Sequence, residues 1–236
     1  MISGDFLADR IAGRNVLVAI DGPAGSGKSS VARAVAARLG VANLDTGAAY
    51  RAVALVALGE GVDLEDGATL AAIAYAVDLT ASGVLYRGEH MPKDALRTPE
   101  VSAAASKVSA HPQLREVLVE RQRTAAREAQ ATGGAVVEGR DIGTVVLPDA
   151  ELKVFLSASP EERARRRALQ TGREAELGRI REAMRTRDRR DSEREASPLK
   201  PASGAVVLDT TGLPLEEVVA SIVELALEVR EGARDR

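Results

Sequence analysis

The residues with the plainest chemical implication run consecutively: Gly22, Pro23, Ala24, Gly25, Ser26, Gly27, Lys28, Ser29 and Ser30. The first eight match G-x-x-x-x-G-K-[ST], in which the glycines let successive backbone N–H groups curl around a phosphate. Lys28 is then placed to reach the β and γ phosphates of a nucleoside triphosphate, and the Ser29 hydroxyl to ligate Mg²⁺. Such a motif needs a strand before it and a helix after it. Both patterns are present. Residues 16–21 (VLVAID) form a short, largely β-branched apolar run, and Val31, Ala32, Val35, Ala36 and Leu39 recur at helical spacing with Gly40 as the stop. The bland alternative, a glycine-rich turn that happens to contain Lys-Ser, explains none of this context.

A triphosphate site leaves the fate of the γ-phosphate open. A guanine-nucleotide switch needs N-K-x-D to read its base, and the only asparagines, Asn15 and Asn43, lie in no such motif. Asp209-Thr210-Thr211-Gly212 matches D-x-x-G, but it reads more simply as a strand end leading into a helix cap. A kinase requires a second anion site facing the first, built from arginines on several loops. Arg51 follows Leu44-Asp45-Thr46-Gly47-Ala48-Ala49-Tyr50, and Arg140 lies in Glu138-Gly139-Arg140-Asp141. Both follow strand candidates, and strand ends are where α/β sheets bind ligands. The chain has no cysteine, which excludes thiolate nucleophiles and zinc–thiolate sites.

The elements that must position these residues alternate. Buried strand candidates at 41–44, 135–138, 152–156 and 205–209 are separated by helical segments. This predicts an α/β fold with a mainly parallel, doubly wound five-stranded sheet. A final helix is expected after Thr211 and Pro214, with Leu215, Val218, Val219, Ile222 and Ala226 as its apolar stripe. Residues 77–97 read as short strands and turns. Residues 171–194 are dense in Arg, Glu and Asp, which fits a solvated helical pair or a charged lid.

The 236 residues suit one α/β unit with insertions. Aromatics are only 2%, so packing must rest on many small aliphatic contacts. A net charge of −3 gives no global attraction to nucleic acid or membrane surfaces, and neither is expected as a partner. Of 32 basic residues only five are lysine; arginine is the better bidentate partner for phosphate, although coding bias explains the count equally well. The first fourteen residues include Asp5 and Asp9 and no apolar core of a secretory signal, so a loosely ordered arm is expected there. No apolar stretch approaches the ~18 residues that span a bilayer, and the cytoplasm is the default location.

In order along the chain, several stretches resemble bacterial-type cytidylate kinases, nucleoside-monophosphate kinases of the P-loop superfamily. They are Ile20-Asp21-Gly22-Pro23 through Ser29, the run from Leu44 to Arg51, Leu96-Arg97-Thr98-Pro99-Glu100-Val101, and Glu138-Gly139-Arg140-Asp141 through Val146. Arg187-Asp188-Arg189-Arg190-Asp191 and Asp209-Thr210-Thr211 complete the set. The resemblance implies a single P-loop kinase domain: a core at about 15–59, 98–170 and 191–230, a small β-rich monophosphate-binding insertion at about 60–97, a helical lid at about 171–190, and an arm at 1–14. It implies that Ser106, Arg115 and Asp141 meet cytosine, that Arg187 and Asp191 meet the ribose, and that Arg51, Arg140 and Arg194 hold the acceptor phosphate. Thr46 keeps the hydroxyl of a serine common in the family, and is expected among the substrate-binding residues.

The implied reaction is transfer of the γ-phosphoryl group of ATP, with Mg²⁺, to CMP and dCMP by a monomer, with Lys28, Arg140 and Arg194 as the catalytic cations. Lid arginines among Arg173, Arg179, Arg181 and Arg185 are expected to help. The competing readings are a P-loop kinase for another small acceptor and a nucleotide-dependent regulatory protein with no acceptor.

Overall fold

Strand β1, Val16–Asp21, is buried along its whole length because it is central in a five-stranded sheet of order β2-β6-β1-β7-β8. The computed structural model describes residues 16–194 and 196–232; the arm expected at 1–14 lies outside them. The other strands are β2 (Ala42–Asp45), β6 (Gly134–Glu138), β7 (Leu152–Ser157) and β8 (Val206–Asp209), and every pairing is parallel. Parallel strands with helices on both faces read as continuous apolar runs, which is why the strand candidates were legible.

Alternation sorts the sheet's side chains between two cores. Leu17, Ala19, Ala135 and Val137 point into one, with helices α2 (Thr46–Glu60), α4 (Pro99–Val108) and α5 (Pro112–Ala131). Val18, Ile20, Val136 and Val154 point into the other, covered by α1 (Lys28–Leu39) and α8 (Leu215–Gly232). Gly40 ends α1 in the left-handed region at φ 65°.

Residues 77–90 form a separate antiparallel sheet, β3 (Val77–Thr80), β4 (Gly83–Tyr86) and β5 (Glu89–His90). Arg87 and Gly88 both have positive φ, the geometry of a two-residue hairpin turn that matches strand twist. A helix that the sequence pattern did not mark, α3 (Gly67–Ala74), precedes it, and a 3₁₀ turn at Ala95–Arg97 follows. Between β7 and β8 lie α6 (Pro160–Thr171) and the Arg-rich α7 (Leu177–Glu193). The buried apolar residues of α7, Ile180 and Met184, sit one helical turn apart and pack on Ala164, Ala168 and Ala24.

The connections leave β1 toward β2 on one side and β6 toward β7 on the other, so the crevice opens at the carboxyl ends of β1 and β6.

Candidate functional site

The turn after β1 is held tight by close approach. A Cβ on Gly22 would lie 2.2 Å from the Leu156 carbonyl oxygen, and one on Gly25 would lie 2.8 Å from that of Arg163. Gly27, at φ 91°, launches α1 directly into the turn, so its first amides face the concavity. Lys28 Nζ donates to Pro23 O at 2.7 Å. Burial pushes the Lys28 ammonium well below the usual lysine range, and the Arg140 guanidinium adds to this. Ser29 Oγ donates to Glu138 Oε2 at 2.9 Å. Burial, and then the Asp45 carboxylate, raise Glu138 to about 7, partly offset by Lys28 and the Ser29 bond.

Facing this turn is a collection of paired arginines and carboxylates. Arg115, from α5, forms a short ion pair with Asp141, and both are almost wholly buried. The Tyr50 ring lies 5.7 Å from the Arg115 guanidinium carbon. Ser106 Oγ accepts from Arg190 Nη1 at 3.1 Å. Arg140 Nε donates to Asp191 Oδ2 at 3.1 Å, and Arg187 approaches the same oxygen at 3.9 Å. Asp45 Oδ2 accepts from Arg51 at 2.7 Å and Arg97 at 3.2 Å, while its Oδ1 caps α2. Burial pushes Arg187 down to about 10, with Arg140 the next cause. Arg51 Nε, Arg187 Nε and Arg194 Nη2 are buried with no hydrogen-bond partner among the described residues. Cationic N–H groups left in that state are suited to anionic oxygens.

A cavity of about 1070 Å³ runs from the glycine turn to Arg115 and Asp141. Outside the lid, every binding and catalytic residue expected from the sequence lines it except Gly22 and Pro23. Thr46 is nevertheless tied to the strand end, donating to Glu138 O at 2.7 Å. Arg194, which the resemblance groups with Arg51 and Arg140, stands 3.8 Å from Asp141, beside the pair assigned to the base. Of the four lid arginines, Arg173 and Arg179 line the cavity and Arg181 and Arg185 do not.

The sequence reasoning passed over several residues. Arg167 lines the cavity, its guanidinium held below its usual range by burial and by Arg51, Arg97 and Arg173. Arg163 pairs with Asp188 and donates to Ala24 O at 3.0 Å, and Ala24 N–H donates to Asp188 Oδ1 at 3.2 Å, which clasps α7 to the glycine turn. Helical spacing within Arg187–Asp191 could have separated the two faces: Met184 and Asp188 face the turn, Arg187 and Asp191 the arginines. Among the described residues no cluster of three or more His, Asp or Glu could hold a metal by itself, and no helix is long and apolar enough to cross a membrane.

Solved structures share this architecture. A gluconokinase from Sinorhizobium meliloti 1021 superposes with a TM-score of 0.50 at 16% identity, covering 94% of this chain and 98% of that one, a likeness of fold alone. Relatives in sequence are more specific. A cytidylate kinase from Desulfitobacterium hafniense (strain Y51) is 47% identical over 220 residues, 90% of this chain and 93% of the relative. One from Streptomyces griseus subsp. griseus is 49% identical over 217 residues, 89% and 92% of the two chains. A bifunctional pantoate ligase/cytidylate kinase from Synechococcus sp. (strain JA-3-3Ab) is 48% identical across 93% of this chain, which matches 42% of that longer protein. The family profile described as Cytidylate kinase matches residues 18–228, and with this agreement of sequence and fold the chain belongs to the cytidylate kinase family.

Proposed function

We propose that this chain transfers the γ-phosphoryl group of ATP to CMP and dCMP, giving ADP and CDP or dCDP. The observation that carries the reading is the buried Arg115–Asp141 pair at the far end of the cavity that begins at Lys28. Cytosine presents an N4 amino donor beside N3 and O2 acceptors. A carboxylate at Asp141 can accept from N4, while Arg115 and the Ser106 hydroxyl donate to the acceptors. Uracil would set O4 against Asp141, leaving two acceptors face to face.

The chemistry asks for alignment and charge neutralisation more than for a base, because the acceptor phosphate is already ionised at neutral pH. Arg51, on α2, and Arg140, just past the end of β6, line the cavity, positioned to grip that phosphate, and Arg187 and Asp191 to meet the ribose. Lys28 reaches toward the donor's terminal phosphates. Ser29, an oxygen donor beside the Glu138 carboxylate, suits Mg²⁺, an ion commonly held by one or two protein groups and substrate phosphates. When bound, the ion neutralises phosphate charge. In this reading the segment at about 60–97 serves the monophosphate, and the segment at about 171–190, which takes in most of α7, closes as a lid that keeps water from the γ-phosphate. The enzyme works as a cytoplasmic monomer, which gel filtration and fractionation test.

ADP release with ATP, Mg²⁺ and each of CMP, dCMP, UMP and AMP tests the proposal; no CMP-dependent release from folded protein overturns it. Within it, Asp141→Asn is expected to narrow the CMP over UMP ratio of kcat/KM by on the order of a hundredfold. An unchanged ratio removes Asp141 from base recognition.

A further inference from the structure

Asp21 is the last residue of β1, 3% exposed, and does not line the cavity. Its two carboxylate oxygens accept separately: Oδ1 from Ile142 N–H and Oδ2 from Gly143 N–H, each at 2.8 Å. Those residues begin a five-residue π-helical turn, Ile142–Val146, immediately after Asp141. At its other end the turn is tied to the Asp141 carbonyl, which accepts from Val145 N–H at 2.9 Å and Val146 N–H at 3.2 Å.

The arrangement has a topological reason. The β1–β6 ladder reaches its end where Gly139 N–H donates to Ile20 O at 3.0 Å, and at Gly22 the chain of β1 swings off into the glycine turn. Its backbone can no longer serve the segment that continues from β6. Asp21 extends the ladder with a side chain, and only a carboxylate supplies two acceptors for two adjacent amides. Burial raises this carboxyl to about 6, opposed chiefly by the two amides; Asp141 raises it further and Lys28 lowers it, each less than the amides do.

We infer that Asp21 is a positioning residue for base selection, holding the Ile142 and Gly143 amides so that the peptide before them presents Asp141 to Arg115. The inference rests on the CMP reading above. Asp21 touches neither nucleotide: it acts through the backbone on the residue that does. Because it also precedes the glycine turn, one strand end fixes both the donor cradle and the base-reading carboxylate.

Asp21→Asn keeps the shape, offers one acceptor, and turns an N–H₂ group toward the other amide. It also removes a buried charge, so the variant is expected to fold with a Tm near that of the parent. The expected result is a CMP over UMP ratio of kcat/KM lowered about tenfold, with KM for CMP raised and KM for ATP within about twofold. A folded variant with an unchanged ratio, or one that loses ATP affinity as much as CMP affinity, overturns the inference. A purely structural role would lower Tm and slow both acceptors alike. Independently of any acceptor, the Ile142 and Gly143 amide resonances of the unmodified protein are expected to titrate together near pH 6, and to keep doing so in Asp141→Asn. Amides with no common titration step at any pH at which the protein stays folded also overturn it. If the parent enzyme proves inactive on CMP, the functional reading fails, while the amide titration still decides whether Asp21 holds the turn.

Discussion

The glycine turn offers backbone amides from consecutive residues, whereas the opposite wall of the cavity is assembled from side chains on α2, α4, α5, the turn after β6, and α7. In the first region geometry is fixed by positive φ at Gly25 and Gly27 and by approaches too close for any Cβ at Gly22 or Gly25. In the second, cations and carboxylates hold one another: Arg115 with Asp141, Arg140 with Asp191, Arg51 and Arg97 with Asp45. The difference teaches where each region is vulnerable. The amide cradle carries its own cation, Lys28, tied back to Pro23 O, so losing it strips the turn of the one charge built into it. The arginine wall is redundant, so losing one member shifts selectivity and alignment before it abolishes transfer.

The largest expected effect breaks the cradle. Lys28→Ala removes the buried cation that serves the donor phosphates. It should lower kcat by roughly 10²–10³-fold, about 3–4 kcal/mol, with KM for CMP little changed. Retention of parental turnover in a coupled ADP assay would place the work on the arginine wall instead.

The second expected effect concerns the strand end that joins the two regions. Asp21 is raised from 3.8 to about 6, chiefly by burial. Its folded form therefore binds a proton more tightly than its unfolded form, and its ionisation costs stability as pH rises through about 4 to 6. At 1.36 kcal/mol per unit the full cost is about 3 kcal/mol, in place by pH 7. Denaturant unfolding of the parent and Asp21→Asn from pH 4 to 7 checks this: parent minus variant stability should fall by about that amount as pH rises. A flat difference would mean that the two amides fully compensate the buried charge.

The same contrast explains what the sequence disclosed. The strand–turn–helix unit at residues 16–39 was legible because apolar run, glycine spacing and helical stripe all lie within one contiguous stretch. The strands of the main sheet were legible for the same local reason, as short apolar runs, with β1 and β6 buried on both faces and the edge strand β8 exposing one. The order β2-β6-β1-β7-β8 was not, because it depends on which crossover goes to which side. Helix α3 was missed because its run, Gly67–Ala74, spans barely two turns and opens on glycine. On the arginine wall the resemblance supplied residues that spacing alone could not, since Ser106, Arg115 and Asp141 line one cavity only in the fold. Asp21 stood inside a quoted motif, yet its role was invisible, because the two amides it serves lie 121 and 122 residues away. The clasp of Arg163 with Asp188 was invisible for a similar reason, being set by how α6 and α7 pack on Ala24.

That clasp gives a third, smaller test, aimed at how the two regions stay in register. Asp188 holds the Ala24 amide and Arg163 on one face of α7, while Arg187 and Asp191 on the neighbouring face line the cavity. Asp188→Asn keeps an oxygen for Ala24 N–H but leaves Arg163 without its charge partner. Hydrogen bonds to charged groups are worth about 1.5–3 kcal/mol, and the partial exposure of this pair reduces that. The expected outcome is kcat lowered about tenfold through misalignment, with both KM values within about twofold. Loss of ATP affinity alone would confine the clasp to the glycine turn.

The smallest effect is expected where α7 carries arginine without facing either region. Arg185 pairs with Glu182 at 3.0 Å, but their side chains are 79% and 62% exposed. An ion pair that wet contributes about 0.5 kcal/mol or less. Arg185→Ala should therefore leave Tm and turnover essentially as they are, although the residue lies in the most arginine-rich stretch of the chain. Arg167, on α6, is the contrasting case: it lines the cavity next to Arg51, Arg97 and Arg173 and has no carboxylate partner among the described residues. A marked loss of kcat in Arg185→Ala would show that α7 turns its outer face inward during turnover. The redundancy of the arginine wall would then extend to a residue that solvent now surrounds.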